Sequence, residues 1–289
     1  MIGSIRLQVV AKVAREVYRR ELLPERVLWW MAAEGMRDWY RILAKRLGPH
    51  LERAAQPSAR AVLADASART FDRRGRVLGI SGRSLGLLMS ALYRIDRAPR
   101  AAWIFDRMGG PAHGAGEHVR ARLLLARLGS FERWNEVATH LGELLVVLTE
   151  DLPKHLEHSR KILGDICFDA GRSYAERMKR VLHLPERPAD PPRAAMEILR
   201  TSEYVFRVNP EHWSASDGAA GWLEGTACPW YERPGWNGGH CGIFGQFQSG
   251  ISSVFGLRYQ LSKTIPKHGG HTCRIDVKPI QLRRKEASA

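Results

Sequence analysis

The sequence has only four cysteines in 289 residues, at positions 167, 228, 241 and 273. So few thiols in a chain of this length exclude a secreted, disulfide-stapled scaffold. No apolar run approaches the ~20 residues that a membrane span needs, so no transmembrane segment is expected. The opening stretch MIGSIRLQVVAKVAREVYRR is interrupted by Lys12 and Arg15, and it lacks the clean apolar core of a secretory signal. A reducing, cytoplasmic location is the expectation. Basic residues never run longer than RR and the tail RRK. There is no paired-Cys/paired-His finger, no RNP-like aromatic strand and no basic region leading into heptads, which excludes the common nucleic-acid modules. No internal repeat is found.

What is present is ordinary globular composition, 44% hydrophobic and 26% charged, enough for one large domain or two smaller ones. The net charge of +15 is uneven. Residues 1–100 hold 20 Lys and Arg against 9 Asp and Glu, or +11. Residues 251–289 hold 8 against 2, or +6, and the middle is near neutral. Such a balance raises the prospect of an anionic surface or nucleic acid as partner through residues 1–100. Arginines scattered at helical spacing read equally as a solvated helix face.

Periodicity predicts helices over 4–47, with an interruption at Pro24 and a largely aromatic stripe from Trp29, Trp30, Met36, Trp39, Tyr40 and Leu43. Gly48 and Pro49 read as a stop signal. Two further helices are expected over 58–70 and 84–95, joined by the glycine-punctuated link FDRRGRVLGISGRS. RMGGPAHGAGE at 107–117 reads as a loop. Residues 118–182 are again helical, with Ser130 as an N-cap, a break near Asp151 and Pro153 in the first turn of a new helix. LPERPADPP is a connector. Beyond it, SEYVFRVNPEHW reads as a strand and GIFGQFQSGISSVFG as a helix. LRYQLSKTIPKHGGHTCRIDVKPIQL reads as two strands about a PKHGG turn, with Cys273, Ile275 and Val277 alternating against Thr272, Arg274 and Asp276. The fold class expected is α+β: a basic, mainly helical domain over 1–130, an α/β domain with a small antiparallel sheet over 131–282, and a basic tail over 283–289.

Chemistry-bearing residues are sparse. GRSLG at 82–86 fits G-x-S-x-G with Ser84 as nucleophile, but nothing upstream alternates strand and helix. A helix start capped by Ser81 or Ser84 is the expectation. His113 and His118 fall in a glycine-rich loop. His155 and His158, with Asp151, could share a helix face and hold a metal, or be merely solvated. Cys167 reads as a small buried apolar residue. The stretch CPWYERPGWNGGHC carries more. Cys228, Cys241 and Cys273 could be drawn together by a sheet and hold zinc, with His240, His268, His271 or Glu224 completing the set. Alternatively, Cys241 or Cys273 could act as a nucleophile, with His240, His268 or His271 as base. Buried thiols that never meet are the plain alternative. Trp213, Trp222, Trp230 and Trp236 fall within 24 residues. With Phe244 and Phe247 they could line an apolar ligand pocket or simply fill the core of a small sheet.

From about 136 to 277 the chain resembles the 4-vinyl-reductase domain superfamily and the L-2-amino-thiazoline-4-carboxylate hydrolase-like family. The residues that carry the resemblance are ILGDICFDAGRSYAERM, PRAAMEILRTSEY, CPW at 228–230, and HCGIFGQFQSGISSVFGLRYQLSKTIPKHGGHTCRIDV with its Gly270–His271–Thr272–Cys273 turn. The resemblance implies a compact α/β fold, often a homodimer, serving as a small-molecule sensor or in tetrapyrrole and aromatic metabolism. Some members bind structural zinc, and by position Cys228 and Cys273 carry over as ligands. This chain has Ile265 where the zinc-binding sensors place a cysteine. The hydrolase-like family keeps only the later cysteine. The reading that results is a small-molecule-binding sensor or accessory protein with a Trp-rich apolar pocket. The alternative is a hydrolase of a small cyclic C–N substrate using a Cys/His site.

Overall fold

The longest apolar series in the chain makes its longest helix. In the computed structural model, which describes residues 12–108, 119, 123–208, 211–226, 228–231 and 233–280, helix α2 spans Glu25–Arg53. Leu28, Ala32, Met36, Tyr40, Leu43, Leu47 and Leu51 form its buried stripe at three- and four-residue spacing. Pro24 sits at its N-cap, as the sequence expects. The stop at Gly48–Pro49 is not obeyed, since Pro49 lies inside the helix. Leu47 and Leu51 continue the buried stripe on either side, and their packing outweighs the lost hydrogen bond of an exposed proline. A short helix α1, residues 12–19, precedes α2. Residues 4–11, most of the loop 107–117, His113, His118 and the tail 283–289 lie outside the described residues.

Helix α3 (Ala59–Leu78) runs straight through Gly75, where the sequence expects a loop. The link shrinks to Gly79–Ser81. Gly79 takes the left-handed conformation (φ 66°) and ends the helix, with Ile80 N–H donating to the Gly75 carbonyl at 2.9 Å. Helix α4 (Gly82–Leu92) follows, capped by Ser81, whose Oγ accepts from Ser84 N–H at 3.0 Å. Residues 123–127 are helical (α5), and α6 spans Ser130–Asp151. The α6 N-cap is Gly129 rather than Ser130, which is the first helical residue. The break at Asp151 stands, with Pro153 in a 3₁₀ turn (Leu152–Lys154) before α7 (Ser159–Leu182). Arg15 and Arg19 of α1 donate to the Val181 and Leu182 carbonyls at 3.1 and 3.0 Å, so two of the N-terminal basic side chains cap the end of α7.

Helix α8 (Pro191–Val205) extends into the stretch expected to be a strand. Ile198, Leu199, Thr201, Ser202 and Val205 keep a helical buried face there. Packing overrides the β-favouring side chains. The sheet beyond it has the order β1-β2-β4-β3, all antiparallel: β1 Glu211–Ser216, β2 Gly221–Thr226, β3 Leu257–Lys263 and β4 Thr272–Pro279. Helix α9 (Gly238–Ser253) precedes β3, and a one-turn helix α10 (Ile265–His268) joins β3 to β4. β2 carries no periodic signal of its own, because two of its three inward positions, Gly221 and Gly225, are glycine. Leu223, Ile275 and Val277 form the sheet's buried face, to which Cys273 also belongs through its pairing with Gly225.

The architecture is α+β, a helical N-terminal region followed by helices on a small antiparallel sheet. One buried cluster joins α2 and α3 to α6, α7, α8 and the sheet. Helices α7 and α9 approach most closely, and their backbones meet at glycines. The Gly171 Cα sits under the Phe247 carbonyl, and Gly250 sits under the Phe168 carbonyl. No helix of the described residues is long and apolar enough to cross a membrane.

Candidate functional site

Between α2, α6, α7, the end of α8, the loop 228–236 and α9 lies a cavity of about 420 Å³. That volume is in the range of small-molecule pockets. Its walls are built from rings. Trp30 and Trp39 come from α2, Phe206 from the end of α8, Trp230 and Trp236 from the loop, and Phe244 and Phe247 from α9. Leu141, Leu145, Cys167 and Ala170 complete the floor. Trp30 and Val181, each 50% exposed, stand at the mouth.

The loop is held by specific contacts rather than by its thiols. Trp230, only 1% exposed, lies flat on α6 at Gly142, where an added Cβ would come within 2.4 Å of the indole Cγ. Its Nε1–H donates to the Ala138 carbonyl at 3.2 Å. Trp236 lies beside it with its ring tilted (5.1 Å between rings) and stacks on His240 (5.3 Å). The Trp236 indole nitrogen is buried and faces the Cys241 thiol. Asn237 then caps α9, its side chain accepting from Gly239 N–H at 2.9 Å. His240 Nδ1 accepts from Asn237 N–H at 3.1 Å.

The candidate nucleophiles and bases do not assemble into a reacting pair. Both nitrogens of His240 are occupied, since Nε2 meets Thr149 Oγ1 at 2.9 Å. Burial and then nearby Arg160 push its pKa below the ordinary histidine value, so the ring is a neutral structural piece. His271 is exposed beyond the sheet turn, and His268 closes its own helical turn by accepting from Thr264 N–H at 3.0 Å. Cys228, Cys241 and Cys273 are all free and partly buried, and they lie near enough to raise one another's pKa. Burial is the largest cause in each case. It lifts Cys228 to about 12 and moves Cys241 and Cys273 upward, against an opposing pull from Trp236 on Cys241 and from the Ile265 N–H on Cys273 (3.4 Å). Such thiols are protonated at neutral pH and are poor nucleophiles.

Iodoacetamide at pH 8 therefore should leave the native thiols nearly untouched, with a thiolate fraction at Cys228 and Cys167 of about 10⁻⁴. Unfolding in guanidinium should release all four. Rapid labelling of Cys228 in folded protein, read by peptide mass mapping, would contradict this burial.

Zinc does not fit what is present. Among the described residues no group of three or more His, Cys, Asp or Glu side chains is placed to hold a metal ion. Among those residues Cys228 and Cys273 find no further donors of the kind a tetrahedral site requires. The His155–His158–Asp151 set also disperses. His155 faces Gln56 Oε1 (3.0 Å), His158 faces Glu157 (3.5 Å), and Asp151 pairs with Arg69 and Lys154. Ser84 is 3% exposed and holds the Ser81 hydroxyl at 2.9 Å, a capping contact rather than a nucleophile elbow.

Of the aromatic residues singled out in the sequence, Trp230, Trp236, Phe244 and Phe247 line the cavity. Trp213 and Trp222 do not. Trp213 is 55% exposed on the edge strand β1, and Trp222 lies on the sheet's outer face under the Arg274 guanidinium at 4.7 Å. The sequence places Trp30 and Trp39 in a single core stripe. In the fold, the α2 positions 31, 35, 38, 39 and 42 repeat at helical spacing and form a second stripe toward the cavity. Gly35 in that series lets the Phe206 ring approach α2, since an added Cβ would lie 2.9 Å from it.

Many of the N-terminal arginines are committed internally. Arg69 and Arg73 pair with Glu150, Arg74 with Glu136 (2.8 Å), Arg107 with Asp65 (2.7 Å) and Arg46 with Asp169 (3.3 Å). Fold and cavity together define an α+β protein built around an aromatic pocket. Compared with models of known families, with curated proteins and with solved structures, the chain matches none.

Proposed function

We propose that this is a small-molecule-binding protein, a sensor or accessory factor, whose occupant is largely apolar or aromatic and fills the ring-lined cavity. The observation that carries the reading is the cavity itself. About 420 Å³ walled by four tryptophans and three phenylalanines is costly to leave unfilled, because its lining forfeits packing contacts. The vinyl-reductase-like character of residues 136–277 belongs to the same proposal, and so does the homodimer it implies. The succession in that stretch, helices α6, α7 and α8, the β1–β2 pair, helix α9 and the β3–β4 pair, supports it. The Cys/His hydrolase alternative draws no support from protonated thiols and a histidine engaged at both nitrogens. An anionic surface or nucleic acid at residues 1–100 would have to use the basic side chains left over from the internal pairs.

Native mass spectrometry of protein purified from its own host should show a bound small molecule, and its tryptophan fluorescence should respond to aromatic ligands. Ala170→Leu on α7 and Leu145→Phe on α6 each add bulk to the cavity floor. Each should weaken binding at least tenfold while the protein stays folded by circular dichroism. Clean apo protein whose fluorescence ignores a broad ligand panel would overturn the reading.

A further inference from the structure

Resting on the pocket reading above, we infer that the occupant is an amphiphilic organic anion, with its apolar body against the ring wall and its carboxylate at Arg177. The cavity lining carries three charged side chains, Glu34, Asp38 and Arg177. The two carboxylates are already neutralised. Glu34 pairs with Arg37 and with Arg41 (3.7 Å), and Asp38 pairs with Arg41 (2.8 Å). Arg177 makes no ion pair among the described residues. Its guanidinium lies over the Tyr174 ring at 5.8 Å, exposed at the mouth. Among the described lining residues it is the one charge left unpaired for a ligand.

The rings lead away from that charge in sequence. Tyr174 meets Phe247 (5.6 Å), Phe247 meets Phe244 (6.0 Å), Phe244 meets Trp230 (4.6 Å) and Trp230 meets Trp236 (5.1 Å). The hydroxyls of Tyr18 and Tyr174, 3.5 Å apart, add polar atoms at the Arg177 end. The site is therefore polar and cationic at one end and apolar along its length, which is the complement of an amphiphilic anion. Aromatic rings with nearby carboxylates can also hold a cation. Here a cation would have to displace Arg37 and Arg41 from Glu34 and Asp38, and it would approach a chain of net charge +15.

Three probes of one shape separate the cases: 2-naphthoate, the neutral 2-naphthamide, and 2-naphthylmethylammonium. Calorimetric titration of the full chain should show naphthoate binding about tenfold more tightly than the amide, with the cation weakest. Arg177→Gln should bring naphthoate down to the amide's affinity and leave the amide unchanged. Arg177→Lys should keep part of the preference. Equal affinities for naphthoate and amide, a preference for the cation, or a naphthoate preference that survives Arg177→Gln would overturn the anion and leave the pocket standing. Failure of all three probes to bind would overturn the pocket reading together with it.

Discussion

Gly171→Ala should destabilise the protein by about 3 kcal/mol, although alanine is the better helix former. The expected fall in melting temperature is about 6–12 °C for a chain of this size. The cause is the crossing of α7 and α9. A Cβ at 171 would lie 2.0 Å from the Phe247 carbonyl oxygen, and a Cβ at 250 would lie 2.1 Å from the Phe168 carbonyl oxygen. These obstacles are backbone, so neither helix can yield by a side-chain rotation. The helices must separate, and Phe247 must leave the cavity wall. Gly250→Ala should cost about as much, and the double variant less than the sum, because the first substitution already opens the gap that the second needs. Two other glycines serve as controls on the same helices. At Gly164 an added Cβ meets only Gln246 Cγ at 3.4 Å, and at Gly242 it meets nothing within 4 Å. Alanine at either should be neutral or stabilise by up to about 1 kcal/mol. Denaturant midpoints decide the matter. A Gly171→Ala protein as stable as Gly242→Ala would mean that the helices do not cross this closely.

Acid should destabilise the protein through His140, by about 5 kcal/mol between pH 6.5 and 3. This ring is buried among Phe71 (4.9 Å), Tyr93 (5.7 Å) and Tyr40 (6.4 Å). Burial alone lowers its pKa to about 3. The Tyr40 hydroxyl, 2.7 Å from Ser67 Oγ and 3.3 Å from His140 Nε2, holds it in place. Below pH 6.5 the unfolded chain takes up a proton that the folded chain refuses, so stability falls as pH falls and levels off near pH 3. Glu143 acts in the opposite sense. Burial raises its carboxyl to about 7 despite Arg233 and Arg74, so the folded state keeps a proton that the unfolded state has lost, and stability falls as pH rises from 4.5 to 7. His140→Phe leaves Glu143 in place and keeps Tyr40 paired with Ser67. The difference between wild type and variant isolates the histidine. Urea midpoints at pH 7, 5.5 and 4.5 should decline more steeply for wild type, and equal slopes would rule out a proton-refusing His140.

The cavity shows how far the sequence speaks. Trp230 and Trp236 stand out because tryptophans crowd that stretch, and Phe244 and Phe247 because they lie on a small-residue helix just beyond it. Trp213 and Trp222 stand out equally, yet they occupy the outer face or edge of the sheet. Density along the chain cannot tell which side of a strand is covered. Trp30 and Trp39 are hidden for the converse reason. A helix with two buried faces reads as one broad apolar stripe. The strand expected at SEYVFRVNPEHW shows the same limit, since β-branched and aromatic residues suit either element and the neighbours decide.

Local pattern was enough for the α+β class, the presence of helices α2, α6, α7 and α9, and the strands β3 and β4 with Cys273, Ile275 and Val277 alternating onto one face. All of these rest on the spacing of apolar residues along a chain, which neighbours in sequence already specify. Composition likewise showed that thiols would be few. Their chemistry came from packing in three dimensions. Cys228 is pushed to about 12 by the groups around it, and His240 becomes a helix cap because Asn237 and Thr149 reach it. Tertiary contacts alone could place Trp30 of α2 across a cavity from Phe244 of α9, 214 positions away in sequence. A pocket is a gap between elements, and the size of a gap depends on how closely those elements approach. That distance is set here by glycines at contacts no local pattern records.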